Sequence, residues 1–279
     1  MALVTEIQNM AVFCDFENVA LGVREANYPR LDIRRVLDRL LLKGDIVVKK
    51  AYCDWERYKE FKASMHEAAF ELIEIPHVRM SGKNSADIRM VVDALDLCYT
   101  KAHVDCFVII SGDSDFSPLV SKLRENNKTV IGVGVRKSTS DLLTANCDEF
   151  IFYDDLVKEQ ERIQQRVAGN AAKAIATGKP ASKKAEKADA PEEAKQQTAI
   201  NLVVETIEAL IVERGEEVKL LASLIKQALK RRRPDFTEAA YGFNRFGKLL
   251  EAAQKQGLIV VVRDEKSNDN VVRLSHREE

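Results

Sequence analysis

From residue 10 to 155, short runs of apolar, β-branched and aromatic residues alternate with longer stretches in which apolar positions recur at helical spacing. The short runs predict strands near 10–15, 46–52, 72–76, 106–110, 129–134 and 150–152. The longer ones predict helices over roughly 31–42, 54–69, 85–101, 115–126 and 139–146. Leu31, Val36, Leu37, Leu40 and Leu41 fall at helical spacing, as do Ile88, Val91, Val92, Leu95 and Leu97, and both sets read as core faces. Such alternation is the signature of an α/β fold, a parallel sheet wrapped by helices.

The pattern stops near residue 158. From there to 199 the chain is rich in Ala, Lys, Glu and Gln, with Gly178, Pro180 and Pro191 and almost no large apolar side chain. Such a stretch buries too little surface to offset its ordering entropy, so 158–199 reads as a flexible linker with a helical start. Periodicity returns over 200–279: helices are expected at Ile200–Glu213, Val218–Leu229 and about Ala239–Gln256, followed by a hairpin of Leu258–Arg263 and Asn270–Leu274. Three helices and a two-stranded wing make a small α+β winged-helix domain. The expected organisation is therefore a first domain at 1–157, a linker, and a second domain at 200–279.

Charge refines this division. The net charge of -1 is distributed as 20 basic against 25 acidic residues in 1–157, 9 against 6 in 158–199, and 14 against 13 in 200–279. A nucleic-acid partner must then be met by local clusters of cations rather than by the chain as a whole. Five cysteines without CxxC spacing suggest free thiols in a reducing compartment. With neither a basic segment leading an apolar run at the N-terminus nor 18 consecutive apolar residues, the expectation is a soluble, cytoplasmic protein that does not span a membrane.

The candidate chemistry lies in Asp15, Asp87, Asp113 and Asp115. The runs Ala11–Cys14 and Cys106–Ile110 end at Asp15 and at Ser111-Gly112-Asp113-Ser114-Asp115, and each is followed by helix-like sequence. Open α/β sheets place their chemistry at such strand ends. Carboxylates converging there would repel, by about 1 kcal/mol per pair at ~4 Å in water and about 4 at an effective dielectric of 20. A divalent cation relieves that repulsion, and oxygen-only ligands favour Mg²⁺ or Mn²⁺ over Zn²⁺. Taken singly, the same residues are equally well read as turns and caps: Asp15 and Asp113 as Asx turns, Asp115 as an N-cap before Phe116 with Pro118 in the first turn. Trp55, Tyr58 and Phe61 form an aromatic stripe read as core or interface, and the four histidines show no catalytic pairing. A P-loop is absent, because Gly132-Val133-Gly134 lacks the Lys-Ser that would follow. Glu17 stands where a HAD-type phosphatase needs a second Asp, and Asp15 where a Toprim domain needs Glu.

VFCDFEN at 12–18, GKNSADIRMVVDAL at 82–95, SGDSDFSPLVSKLREN at 111–126 and STSDLL with ANCDEFIFYDDL after it together resemble the NYN domain. This is a relative of the PIN-type nucleases, with the LabA/DUF88-like bacterial proteins the nearest group. The resemblance covers about 10–156 and implies a PIN-like α/β/α sandwich with metal-dependent endoribonuclease activity on single-stranded or structured RNA. It implies that Asp15, Asp87, Asp113 and Asp115 are the catalytic, metal-holding positions. A metal-activated water would attack phosphorus in line and leave a 5′-phosphate. Asn18 would orient Asp15 or touch a phosphate, with Lys83 and Ser111 the next choices, for substrate phosphate and for shaping the site. Asp93 and Asp148 are left as supporting or structural residues.

Residues 200–274 resemble the LOTUS or OST-HTH domain, most sharply in the PDF at 234–236 and YGFNRFGKLLE at 241–251. That resemblance implies binding of RNA, including guanine-rich structured RNA, or of a protein partner. Arg231, Arg232, Arg233, Arg245 and Lys248 are the cations expected to meet phosphates. A solvated helix end is the competing reading. The expected function is RNA cleavage with the second domain recruiting substrate; the alternatives are a non-catalytic RNA-binding adaptor and a regulatory interaction protein.

Overall fold

The computed structural model describes residues 8–75, 85–162, 190–215, 218–263 and 269–275. The chain divides into two compact units, Met1–Arg162 and Ile163–Glu279.

In the first unit, strands β1 (Gln8–Asp15), β2 (Gly44–Cys53), β3 (Glu71–Glu74), β4 (Cys106–Ile110), β5 (Thr129–Gly134) and β6 (Glu149–Phe152) form one sheet in the order β3-β2-β1-β4-β5-β6. Every pairing is parallel. The helices are α1 (Phe16–Glu25), α2 (Ile33–Leu40), α3 (Lys59–Glu67), α4 (Ser85–Thr100), α5 (Ser117–Glu125), α6 (Asp141–Asn146) and α7 over 153–162. This is the doubly wound arrangement of a PIN-like α/β/α sandwich, and the strand order reverses between β1 and β4, where such sheets carry their sites.

Both faces of the sheet are buried, which is why its central strands are continuous apolar runs rather than alternating ones. Met10, Val12 and Cys14 of β1 and Val108 and Ile110 of β4 face the layer of α1–α3 and α7. Ala11 and Phe13, with Phe107 and Ile109, face α4–α6. The Trp55, Tyr58 and Phe61 stripe is core packing, with all three rings against Phe16 at 4.9, 5.7 and 5.1 Å.

The expected core face of α2 is buried except for half-buried Leu41. That of α4 is not: Met90, Ala94 and Cys98 are its buried residues, while Ile88 and Val92 are exposed. An apolar run with two possible helical faces leaves the choice to what the sheet contacts. All five cysteines are free. No helix among the described residues is long and apolar enough to cross a membrane.

The second unit contains α8 (Ala190–Arg214), β7 (Leu220–Leu221), α9 (Ala222–Arg232), α10 (Phe246–Lys255), β8 (Ile259–Arg263) and β9 (Asn270–Leu274). Its antiparallel sheet has the order β7-β9-β8. This is the winged-helix topology, with a third strand that the two-stranded expectation omitted because Leu220-Leu221 falls inside an apolar helical pattern. Residues 158–162 and 190–199, expected in the linker, are helical, and Ala199 is fully buried. Composition alone misses a helix whose burial comes from elements later in the chain.

Ile109 lies at the centre of the sheet with no exposed surface. Ile109→Ala is expected to cost about 2–5 kcal/mol. The chain's one tryptophan, Trp55, is buried in this unit, so urea unfolding followed by its fluorescence reports the first unit separately. The midpoint should fall at nearly constant slope.

Candidate active site at the sheet switch point

Asp15 ends β1, one residue beyond the Cys14–Ile110 pairing, so its carboxylate lies beside Ser111 at the end of β4. It is also the N-cap of α1: one oxygen accepts the Asn18 backbone N–H at 3.3 Å. Its other oxygen accepts the Ser111 hydroxyl at 3.1 Å. Ser111 in turn accepts the Asp113 N–H at 3.2 Å, and Asp113 accepts the Asp115 N–H at 2.9 Å as N-cap of the 3-10 turn Ser114–Phe116. The Asn18 side-chain oxygen accepts the Gly112 N–H at 2.9 Å, closing the network.

The cap reading and the site reading therefore describe the same hydrogen bonds. Capping fixes the carboxylates in place, and burial sets their electrostatics. Asp15 is buried; desolvation, then the charge of Asp87, push its pKa up to about 7, against the pull of the Asn18 N–H and the Ser111 hydroxyl. Asp87, in the first turn of α4, is raised to about 6 by desolvation and then by Asp113, Asp115 and Glu17. Four carboxylates from β1, α4 and the β4 loop thus act on one another electrostatically. Among the described residues, however, no three His, Cys, Asp or Glu side chains are gathered closely enough to hold a metal ion as they stand. Mutual influence reaches farther than ligation does, so both observations hold.

One expectation is corrected. Asp115 is not the cap of α5: Phe116 occupies that position, with Pro in the first turn, and Asp113 caps the preceding 3-10 turn. Ser111 is fully buried and uses its hydroxyl on Asp15 and the Asp113 N–H, so it shapes the carboxylate cluster. Asn18 reaches Asp15 through its backbone, while its side chain holds the β4 loop. Lys83 lies outside the described residues. Asp93 is drawn away into a set with Lys50, Tyr52 and Arg89, and Asp148 holds the Val130 N–H and Arg124.

Two features of the site were missed. Glu17 acts on Asp87 and is paired with Arg57 at 3.1 Å; its signal was its place in the first turn of the helix that Asp15 caps. The Ser138–Ser140 segment braces the β4 loop through the Ser140 N–H to the Gly112 carbonyl. A Cβ on Gly112 would lie 2.3 Å from the Ser138 backbone oxygen, and one on Gly22 would lie 2.2 Å from its hydroxyl. Gly112 is required by this close approach to backbone, whereas a side chain at Gly22 would make the Ser138 hydroxyl turn aside.

In the second unit, Arg232 is paired with Glu205 at 2.9 Å with its side chain only 14% exposed, which makes it a structural tie between α9 and α8. Its place in a basic run concealed this. Arg231 is half-buried, Arg233 and Arg245 are exposed, and exposed Lys248 is paired with Glu251.

A family model of the NYN domain matches residues 9–156, just over half of the chain. The chain belongs to the NYN domain family. NYN domains are PIN-like and are generally nucleases, usually working with divalent metals on nucleic acid. An uncharacterised protein of Methanocaldococcus jannaschii is 23% identical over 137 residues, which are 49% of this chain and 54% of that protein. The chain thus spans about half the length of that curated relative. A protein of unknown function from Vibrio parahaemolyticus, known from a crystal structure, aligns with a TM-score of 0.48 and 27% identity over 54% of this chain and 95% of its own.

The electrostatics of this NYN site give a pH dependence. Burial and like charge push the Asp15 and Asp87 carboxyls up to about 7 and about 6, from an ordinary value of 3.8. As pH rises from about 4 the unfolded chain loses these protons first, so this contribution to stability is lost progressively up to about 7. In EDTA, Asp87→Asn should gain stability relative to wild type over this range. Parallel urea curves at successive pH values measure the difference, and a constant one would contradict the assignment.

Proposed function

We propose that this NYN-family chain is a metal-dependent endoribonuclease, with its active site at Asp15, Asp87, Asp113 and Asp115. The single observation carrying the reading is that these four carboxylates meet electrostatically at the sheet switch point, where burial and like charge raise Asp15 and Asp87. The donors fit a hard divalent cation, since they offer only carboxylate oxygens and their repulsion is what a cation relieves. Bound Mg²⁺ or Mn²⁺ would supply charge neutralisation at the phosphodiester and activation of the attacking water.

The chain's own contribution is preorganisation. Ser111 and the Asn18 N–H hold Asp15, and the Asp115 N–H holds Asp113. Little side-chain freedom then remains to be lost when substrate enters. The second unit is read as a LOTUS or OST-HTH module that recruits RNA, supported by its winged-helix topology and by exposed Lys230, Arg233 and Arg245.

Purified protein should cleave RNA with Mg²⁺ or Mn²⁺ and not with EDTA. Asp113→Asn should lower the rate by at least about 100-fold. Metal-independent cleavage, or cleavage unaffected by Asp113→Asn, would refute the reading; RNA binding without cleavage would identify the adaptor instead. Replacing Lys230, Arg233 and Arg245 together by Ala should weaken RNA binding roughly tenfold or more and flatten its salt dependence. Filter binding across a salt series tests the recruitment role separately.

A further inference from the structure

The residues that α4 leaves outside its core face are not scattered. Ile88, Val92 and Tyr99 are 63%, 56% and 64% exposed, and between them lies Leu95, half-buried, which packs in part against the core and leaves the rest of its side chain to the stripe. Their spacings are four, three and four residues, the repeat that places side chains along one helical stripe. The stripe is about 16 Å long, on the side of α4 opposite Met90 and Ala94. Single exposed apolar residues need no explanation, but a continuous seam on a well-packed helix does.

We propose that this seam pairs with the same seam of a second copy of the chain, α4 against α4 in antiparallel orientation. The sequence of the seam selects that occupant. Four-three-four spacing reads the same from either end, so an antiparallel copy sets Ile88 against Tyr99 and Val92 against Leu95, each contact occurring twice about a two-fold axis. The flank is self-complementary as well. Arg89 and Asp96 follow Ile88 and Leu95 on the same side of the stripe, and in antiparallel helices equivalent flanks face each other. Arg89 of one copy thus meets Asp96 of the other.

Arg89 is 57% exposed while its Nε is bonded to Asp93, and the Asp96 side chain is exposed. A parallel pairing would instead turn the Arg89 and Asp96 flank toward the opposite flank of the other copy, which carries Val91 and Cys98, and form no ion pair. The antiparallel register also brings Tyr99 of each copy to Ile88 of the other, one residue from Asp87, so the second copy forms an edge of each acidic site.

The seam is short, so association is expected at micromolar concentration. Sedimentation equilibrium of the full chain at tens of micromolar should show a dimer. Val92→Arg should raise the dissociation constant at least about tenfold, and Arg89→Asp should raise it by a similar factor. The double variant Arg89→Asp with Asp96→Arg should return it to within about threefold of wild type, because the cross-copy pairs are restored while the Arg89–Asp93 contact is not. A monomeric wild type, a dimer indifferent to Val92→Arg, or failure of the double variant to recover would each overturn the proposal.

Discussion

The parallel pairing of β1 with β4 is the constraint on which the first unit depends. It joins strands separated by some ninety residues, buries both on two faces, and aligns Cys14 with Ile110. Without that register Asp15 and Ser111 could not share a hydrogen bond, and the two acidic loops would have no common crevice. Strand alternation adds a second consequence: Asp15 falls on the side of the sheet that carries Phe13, which α4 covers. Asp87 in the first turn of α4 therefore acts on Asp15, whereas Asp93, farther along, is taken up by Lys50 and Tyr52.

The same hydrogen bonds that terminate strands and start helices define the site. Asp15 caps α1, Asp113 caps the turn before α5, and the Ser111 hydroxyl links the two. Structural and chemical roles need not compete for a carboxylate, since its two oxygens offer about four acceptor positions. The cost is electrostatic. A buried acid among like charges is held partly protonated, the usual condition of groups that await a cation or a proton transfer.

The second unit shows how burial divides a basic run. Four consecutive cations span Lys230–Arg233, yet Arg232 is turned inward to Glu205 while Lys230 and Arg233 remain in solvent. Helical geometry separates neighbours by about 100° around the axis, so a run of like residues cannot all face one partner.

Much of the architecture was legible in the sequence. All six strands, the helices α2–α6 and the hairpin of the second unit are marked by periodicity, whereas α1 was not among the expected helices, and the acidic motifs stand at strand ends. Hydrophobic pattern reports burial averaged along one segment, and cap residues act within a few positions, so both are local signals. Non-local outcomes were hidden: which face of α4 enters the core, that Leu220-Leu221 is a strand, that 190–199 is helical, and that Ser138 presses on Gly112. The sequence by itself determined the elements and the identity of the candidate carboxylates. Only the tertiary structure decided which of them act on each other and which polar groups hold them, because those depend on strand register and helix docking between segments far apart in the chain.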